Sequence, residues 1–430
     1  MHKRLLIVFL LCSTASFAQN ITLQDAVGIA LTKNLQIQIA RNEAEIAHKQ
    51  NSAGAAGMLP NVSLNASDNP SLTNLKQELA NGTVIARDNV FSNSVNANVA
   101  LGYTLFDGMK MFATKKRLKE IEAMGANKLK SQMQNMVSNV IQKYSYIVAQ
   151  KASLVVVEQL LDISKQRYDL VQIRVTAGLA NNTDVYLAQL DMDTRKQNLI
   201  NQQVLIKNGY ADLNTFLNLP ADSVYGIDTL LVTNTTLQKT QLNTAFHTNP
   251  ELLIAENNVE IALQSQKELQ GVRLPLVRLN AAYGYALTQS QAGFTLLNQN
   301  YGPNAGISLG LPLYTGNVNA NNVAVAKLQY KNASLSREQT HLNLSSTFEQ
   351  AWQKYSNALI QVTNDEASVK TAKLYLDLMQ QRYKGGQSTV LDYREAQRSY
   401  EETNYRLVSN RYNLKLAETD LLRLTGQLVK

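Results

Sequence analysis

Residues 95–105, VNANVALGYTL, place Val95, Ala97, Val99, Leu101, Tyr103 and Leu105 on one side of an extended chain and Asn96, Asn98, Ala100, Gly102 and Thr104 on the other. Apolar residues at every second position predict a strand with one apolar face. VRLNAAYGYAL at 277–287 repeats the pattern, with Val277, Leu279, Ala281, Tyr283, Tyr285 and Leu287 opposite Arg278, Asn280, Ala282, Gly284 and Ala286. Val62, Leu64 and Ala66 begin a third strand, and Ile307, Leu309, Leu311 and Leu313 make a fourth. Two of these runs are 11 residues long, within the roughly 9–11 that a tilted strand uses to cross a bilayer. A half-buried soluble sheet produces the same alternation. The second face distinguishes the two, being small or neutral and polar with one arginine and no carboxylate. Such a face suits an open lumen while the apolar face meets lipid.

Nearly everything else reads as helix. Val137, Val140, Ile141, Tyr144, Ile147 and Val148 recur three and four apart, and the spans 109–174 and 317–382 contain no proline. Some 66 residues of α-helix make a rod of roughly 100 Å. Each rod turns back into a second helix, at about 184–217 and 392–425, and shorter helices at about 22–57 and 241–273 precede the two hairpins. A helix beyond about 25 residues is either a coiled coil or packed on partners.

This order occurs twice because the chain is a tandem duplication. Asn34, Ala40, Asn42, Ile46 and Ala47 match Asn249, Ala255, Asn257, Ile261 and Ala262, all 215 positions on, as Pro60, Val62, Leu64 and Asn65 match Pro275, Val277, Leu279 and Asn280. From Leu101, Gly102, Leu105 and Gly108 onward the spacing is 208, to Leu309, Gly310, Leu313 and Gly316. VTAGLANNTDVYLAQ at 175–189 and YKGGQSTVLDYREAQ at 383–397 keep that spacing through Gly178 and Gly386, Asp184 and Asp392, Ala188 and Ala396, and Gln189 and Gln397. A period near 200 residues is far longer than a solenoid unit. It marks two copies of one large half, joined by NLPADSVYGIDTLLVTNTT at 218–236.

Composition adds a compartment. MHKRLLIVFLLCSTASFAQN has a basic start, an apolar run and a small-residue site ending at Ala18, the pattern of a secretory leader over 1–18. Cys12, the one cysteine, falls inside it, which leaves no thiol for a disulfide or metal site beyond the leader. Losing Lys3 and Arg4 takes the formal charge from +8 to +6 (8 − 2), too thin for a nucleic-acid footprint. No later stretch approaches the 18 apolar residues of a spanning helix, so a membrane would have to be crossed by strands. Catalytic patterns are weak. Gly306-Ile307-Ser308-Leu309-Gly310 has the G-x-S-x-G spacing, but Ser308 lies inside a strand rather than on the sharp strand-to-helix turn that a nucleophile needs. His48, His247 and His341 have no metal-ligand spacing. No enzyme and no cofactor are expected.

The leader, the duplicated half, the two hairpins, the very long helices and the turns AGLANNTDVYLAQ and KGGQSTVLDYREAQ together resemble the TolC-type outer-membrane efflux channels. The resemblance implies an α+β membrane protein: duplicated halves of long coiled-coil helices and β-hairpins, assembled as a trimer with a 12-stranded outer-membrane barrel and a periplasmic helical tunnel. Physics agrees in part, since four strands cannot close a barrel and an open edge is not tolerated in lipid. The implied divisions are a leader at 1–18, a first repeat at 19–217 with its hairpin at about 59–106, a connector at 218–240, and a second repeat at 241–430 with its hairpin at about 275–314. Extracellular loops are expected at 68–92 and 288–303. The implied function is a passive exit duct for efflux or type I secretion, with a periplasmic adaptor and an inner-membrane transporter as partners. The rival from another class is a periplasmic coiled-coil adaptor or scaffold. By the resemblance, Gly178 and Leu179, with Gly385 and Gly386, are adaptor-docking tips. Asp392 and Glu395 ring the constriction, and Tyr383 latches to Asp184. Asp184 has Leu187 where Asp392 has Glu395. Gln387 and Ser388 depart from the family pattern, the latter removing a basic latch.

Overall fold

The computed structural model describes residues 20–429, so the leader and Cys12 lie outside the described residues. The chain divides into two compact units, 42–128 with 251–340 and 20–41 with 129–250 and 341–429, each taken here by itself.

The first of these holds one antiparallel sheet of four strands, β1 (Asn61–Glu78), β2 (Val84–Phe106), β3 (Leu276–Ser290) and β4 (Leu297–Gly310), in that order. The two expected hairpins are therefore both present. Asn61 pairs with Gly102 in the first and Leu276 with Gly310 in the second, so the spacings of 215 and 208 are structural as well as textual. One face exposes Val62, Leu64, Val99, Tyr283, Ile307 and Leu309. The other carries, Arg278 apart, short neutral side chains tied across strands: Asn65 to Asn98 at 3.1 Å, Ser71 to Ser92 at 2.8 Å, Ser94 to Thr288 at 3.2 Å and Asn280 to Ser308 at 3.2 Å. β1 and β4 are edges with no neighbour on their outer side, and the sheet's two prolines, Pro70 and Pro303, sit on them. An edge is where a residue without an N–H is tolerated.

The expected loops at 68–92 and 288–303 are mostly strand. The first hairpin turns only over 79–83, where Leu79 N–H donates to the Thr83 carbonyl at 2.9 Å and Gly82 takes a φ of 82°. The second turns over 291–296, inside a Ser290 N–H to Leu296 carbonyl bond of 2.9 Å. Polar stretches such as Ser67-Asp68-Asn69-Pro70 carry no alternation, but a ladder is a backbone structure and does not require one. The extra length of the first hairpin is held in strands of 18 and 23 residues, against 15 and 14 in the second.

Each hairpin leads into a helix of 67 residues, α3 (Lys110–Thr176) and α7 (Val318–Lys384), within two residues of the sequence expectation. Both junctions use two consecutive residues of positive φ, Gly108 (72°) with Met109 (67°) and Gly316 (58°) with Asn317 (64°). At the first junction a Cβ on Gly108 would sit 2.1 Å from the Gly271 carbonyl oxygen. Gly108→Ala therefore combines a left-handed conformation, costing about 1–2 kcal/mol, with a backbone clash. The expected outcome is loss of folded protein in the outer-membrane fraction, while Gly316→Ala, with no neighbour within 4 Å in its own chain, leaves the chain folded. Circular dichroism and membrane yield of the two variants check this.

The expected single helices at 22–57 and 241–273 are each broken. The first is α1 (Leu23–Lys33) and α2 (Leu35–Gln50), and the second is α5 (Lys239–Ala245), a 3₁₀ turn (Phe246–Thr248) and α6 (Pro250–Gly271). The matched asparagines stand at both breaks. Asn34 donates from Nδ2 to the Phe216 carbonyl at 2.9 Å and accepts from Gln36 N–H at 2.9 Å, and Asn249 donates to the Leu424 carbonyl at 2.8 Å. Phe216 and Leu424 stand near the ends of the returning helices α4 (Asn182–Leu217) and α8 (Val390–Leu424). Each asparagine is buried and satisfies a carbonyl that the helix end leaves free. At Asn34 the partner is long-range and invisible in local periodicity, whereas at Asn249 the following Pro250, which starts α6, interrupts the helix locally as well.

In this second unit Ile37, Val140, Ile147, Leu213 and Leu217 form a fully buried cluster, each side chain stabilising by about 1.5–3 kcal/mol. Tyr144, a member of the same cluster, has its single O–H within reach of Asp228 at 2.8 Å and the Ile21 carbonyl at 3.0 Å and accepts from Asp228 N–H at 2.9 Å, fastening the connector to α3.

Candidate functional site

The two turns that reverse the long helices are built alike. After α3, Gly178 takes a φ of 73°, its N–H reaches the Val175 carbonyl at 3.0 Å and Leu179 N–H reaches the Arg174 carbonyl at 2.8 Å. After α7, Gly386 also has a φ of 73°, with Gly386 N–H to Tyr383 at 3.1 Å and Gln387 N–H to Arg382 at 2.8 Å. This pairing of bonds closes a helix through a left-handed residue, which glycine adopts without penalty. Gly385 precedes the second such residue and stays on the helical side of the turn. Leu179 and Leu391 project, each 70% exposed.

The returning helices start in capping boxes. Asn181 Oδ1 accepts from Asp184 N–H at 3.1 Å while Asp184 accepts from Asn181 N–H at 3.3 Å, and Thr389 and Asp392 do the same at 3.2 and 3.0 Å. Backbone and hydroxyl donation from Thr389 holds the Asp392 carboxyl below the usual carboxylate range. Its contribution to the cap is present above about pH 4 and is lost as pH falls through that depressed value. The matched aspartates are thus first of all helix-start residues, a role the pattern Thr389-x-x-Asp392 displays openly.

Within this chain the Asp184 carboxylate accepts from Asn181 N–H at the cap, and among the described residues no hydrogen bond joins it to Tyr383. Tyr383 is instead buried, stacked on Tyr393 with ring centroids 5.5 Å apart, and covered by the Arg174 guanidinium at 5.1 Å. Burial pushes the Tyr383 hydroxyl up, opposed by Arg174 and Arg167.

Asp392 and Glu395 share a face of α8, as their spacing predicts, but arginines accompany them. Arg398 lies 3.9 Å from Glu395 and 3.2 Å from Glu402. A groove of about 570 Å³ is lined by three carboxylates, Asp191, Asp392 and Glu395, and three guanidiniums, Arg195, Arg394 and Arg398. Two ion pairs close behind went unseen in the sequence. Arg167, 2% exposed, pairs with Asp191 and donates to Gln397 Oε1 at 2.9 Å, and Arg195 meets Glu401 at 2.6 Å. The one textual signal was the matched Gln189 and Gln397, of which only Gln397 is buried. Among the described residues no group of His, Cys, Asp and Glu is arranged to hold a metal ion, and no helix is long and apolar enough to cross a membrane.

A sheet with one apolar face and one neutral polar face, joined to a duplicated hairpin of very long helices, defines a channel-forming membrane protein. The chain belongs to the outer membrane efflux protein family, whose model matches residues 26–219 and 242–427. The outer membrane protein TolC of Escherichia coli is 25% identical over 68% of this chain, an alignment that spans 59% of TolC's own length. The proteases secretion protein PrtF of Dickeya chrysanthemi is 21% identical over 99% of this chain and 95% of its own. The fold is that of the outer membrane protein VceC of Vibrio cholerae, with a TM-score of 0.80 at 19% identity over 94% of this chain and 96% of that one.

Proposed function

We propose that the protein is the passive outer-membrane exit duct of a tripartite efflux or secretion system, assembled as a trimer whose 12 strands close one barrel. The observation that carries this is the four-stranded sheet with two open edges, because a lipid-exposed edge must be paired and closure requires strands from other copies. Two copies supply eight strands and three supply 12, a lumen wide enough for solutes. The turns at Gly178–Leu179 and Gly385–Gly386 dock a periplasmic adaptor, and an inner-membrane transporter supplies the energy. Native mass spectrometry in detergent and an electron-microscopy reconstruction test the assembly. A trimer with its barrel at one end is expected, and a monodisperse, detergent-free monomer overturns the reading.

The constriction is assigned to Asp392 and Glu395. In a trimer these are six carboxylates facing one another, which attract cations. The neighbouring Arg398 dilutes that field. Asp392→Asn/Glu395→Gln is expected to lower cation-over-anion permeability in planar bilayers and to weaken block by multivalent cations, while Arg398→Gln raises the permeability ratio. Equal ratios in all three proteins would return the acidic pair to its capping and surface roles.

A further inference from the structure

The polar face of the sheet is nearly without charge. Over 61–73 of β1, 92–104 of β2, 276–290 of β3 and 298–310 of β4, the one ionised side chain that the described residues place on that face is Arg278. It stands opposite Thr104 on β2 and Ser308 on β4, near the end of the sheet where the strands meet the helices. A carboxylate is the ordinary neighbour of a guanidinium, yet among the described residues Arg278 forms no ion pair.

Arg278 lines a cavity of about 810 Å³ at that junction, together with Asp107, Lys110, Arg117 and Glu268, three cations against two carboxylates. Both carboxylates are engaged. Arg117 Nε donates to Glu268 at 2.7 Å, and the two oxygens of Asp107 accept from Met111 N–H at 3.1 and 2.9 Å at the start of α3. Beyond this pair the polar seam between α3 and α6 continues, with Asn257 bridging Asn127 and Glu120 at 2.9 Å to each, so Glu120 is engaged as well. Lys110 and Arg278 are left as exposed cations with no acidic partner among the described residues. Two glycines keep the edge of the cavity open. A Cβ on Gly271 would lie 2.6 Å from the Gly108 carbonyl oxygen, so α6 meets the start of α3 backbone to backbone there.

We propose that this cavity binds a compact multivalent anion of the phosphate or polycarboxylate class, held between the Arg278 guanidinium and the Lys110 ammonium. The planar fork of an arginine matches two oxygens of such a group, and a lysine adds a point charge with rotating donors. The anion is a soluble one rather than a lipid headgroup, because Arg278 belongs to the polar face and the opposite face is the apolar one. Binding needs only the one chain, whereas its effect on permeation rests on the trimeric duct proposed above. In that trimer one such site per chain would ring the lumen and give this stretch a field opposite in sign to that of Asp392 and Glu395.

Isothermal titration calorimetry of the full chain in a neutral detergent, with inorganic pyrophosphate at low ionic strength, tests the site. Arg278→Gln and Lys110→Gln are each expected to weaken binding about tenfold or more, the loss of one charge-assisted hydrogen bond. Arg278→Lys is expected to retain part of it, and Lys116→Gln, which removes an exposed charge from α3 outside the cavity, to bind as the unmodified protein. Added salt weakens the binding by screening. Circular dichroism and native mass spectrometry are expected to show the same fold and oligomer in all five proteins. No heat with pyrophosphate, or equal binding by Arg278→Gln, overturns the site. Phospholipid that co-purifies with the unmodified protein and is lost in Arg278→Gln, with no pyrophosphate binding, puts a headgroup there and overturns the soluble anion. In planar bilayers pyrophosphate is expected to block current through the unmodified protein and to leave Arg278→Gln unblocked. Binding without block keeps the site and removes its role in permeation, and binding by a protein that forms no channel keeps the site and overturns the duct.

Discussion

Arg167→Met is expected to cost about 3–5 kcal/mol, toward the lower end, because it strips a buried ion pair of its cation and leaves the Asp191 carboxylate uncompensated. Arg167 is 2% exposed whereas the Asp191 side chain is 20% exposed, so water relieves part of the penalty. The loss is local. Val171, Ala188, Tyr383, Tyr393 and Ala396 form one buried cluster around the pair, and amides in that stretch of α3 and α8 should exchange with solvent much faster. The double change Arg167→Met/Asp191→Leu is expected to recover most of the loss. Among the described residues Arg167 Nε and Gln397 Nε2 have no hydrogen-bond partner, so the network is incompletely satisfied and an apolar replacement forfeits little. Hydrogen exchange read by mass spectrometry checks both proteins. Wild-type protection in the single variant would mean that the pair does not hold these helices together.

Gly178→Trp and Gly386→Trp are each expected to abolish export while leaving the oligomer intact. Among the described residues no atom lies within 4 Å of where a Cβ on either glycine would sit, so the ring meets open space there. It would obstruct a partner docking there. The left-handed backbone adds about 1–2 kcal/mol for a side chain other than Asn or Asp, and Gly178→Asn and Gly386→Asn separate the two effects. If docking is the function of the turns, the asparagine variants should export nearly normally and the tryptophan variants should accumulate cargo like a deletion strain. Normal export by the tryptophan proteins would leave the turns with a structural role only. Loss of the oligomer would do the same.

How much of this was legible in the sequence depended on the range of the deciding interaction. The 67-residue helices were readable to within two residues because their ends are set locally, by a positive-φ pair at one end and a glycine at the other. The break at Asn34 was not, because its partner carbonyl lies 182 residues away, whereas at Asn249 the following Pro250, first residue of α6, is a local signal. Strand cores were legible where one face is apolar, and their extensions were not, since Ser67-Asp68-Asn69-Pro70 pairs through its backbone alone. At the site, repetition correctly singled out Gly178, Asp184, Gly386 and Asp392 as structurally equivalent. It gave no sign that Arg167 and Asp191 meet, because their counterparts are Tyr375 and Ser399.

The polar seam between α3 and α6 has a consequence for how tightly different surfaces must bind. Two halves joined by a short tether meet at an effective concentration of about millimolar or more, whatever the amount of protein in the membrane. Arg117 with Glu268 at 2.7 Å, and Asn257 with its two partners, then need only select the correct alignment. At the matched positions of the second repeat, Leu328 and Leu335 stand where Glu120 and Asn127 stand in the first, and both are exposed. In the proposed trimer separate chains meet only as often as expression and diffusion allow, so affinity at an exposed apolar face would come from apolar surface removed from water, about 25 cal/mol for each Å². On the trimer reading, corresponding positions on one repeated scaffold differ in the sense expected of fused halves, charged where covalent linkage guarantees an encounter and greasy where mass action would govern it.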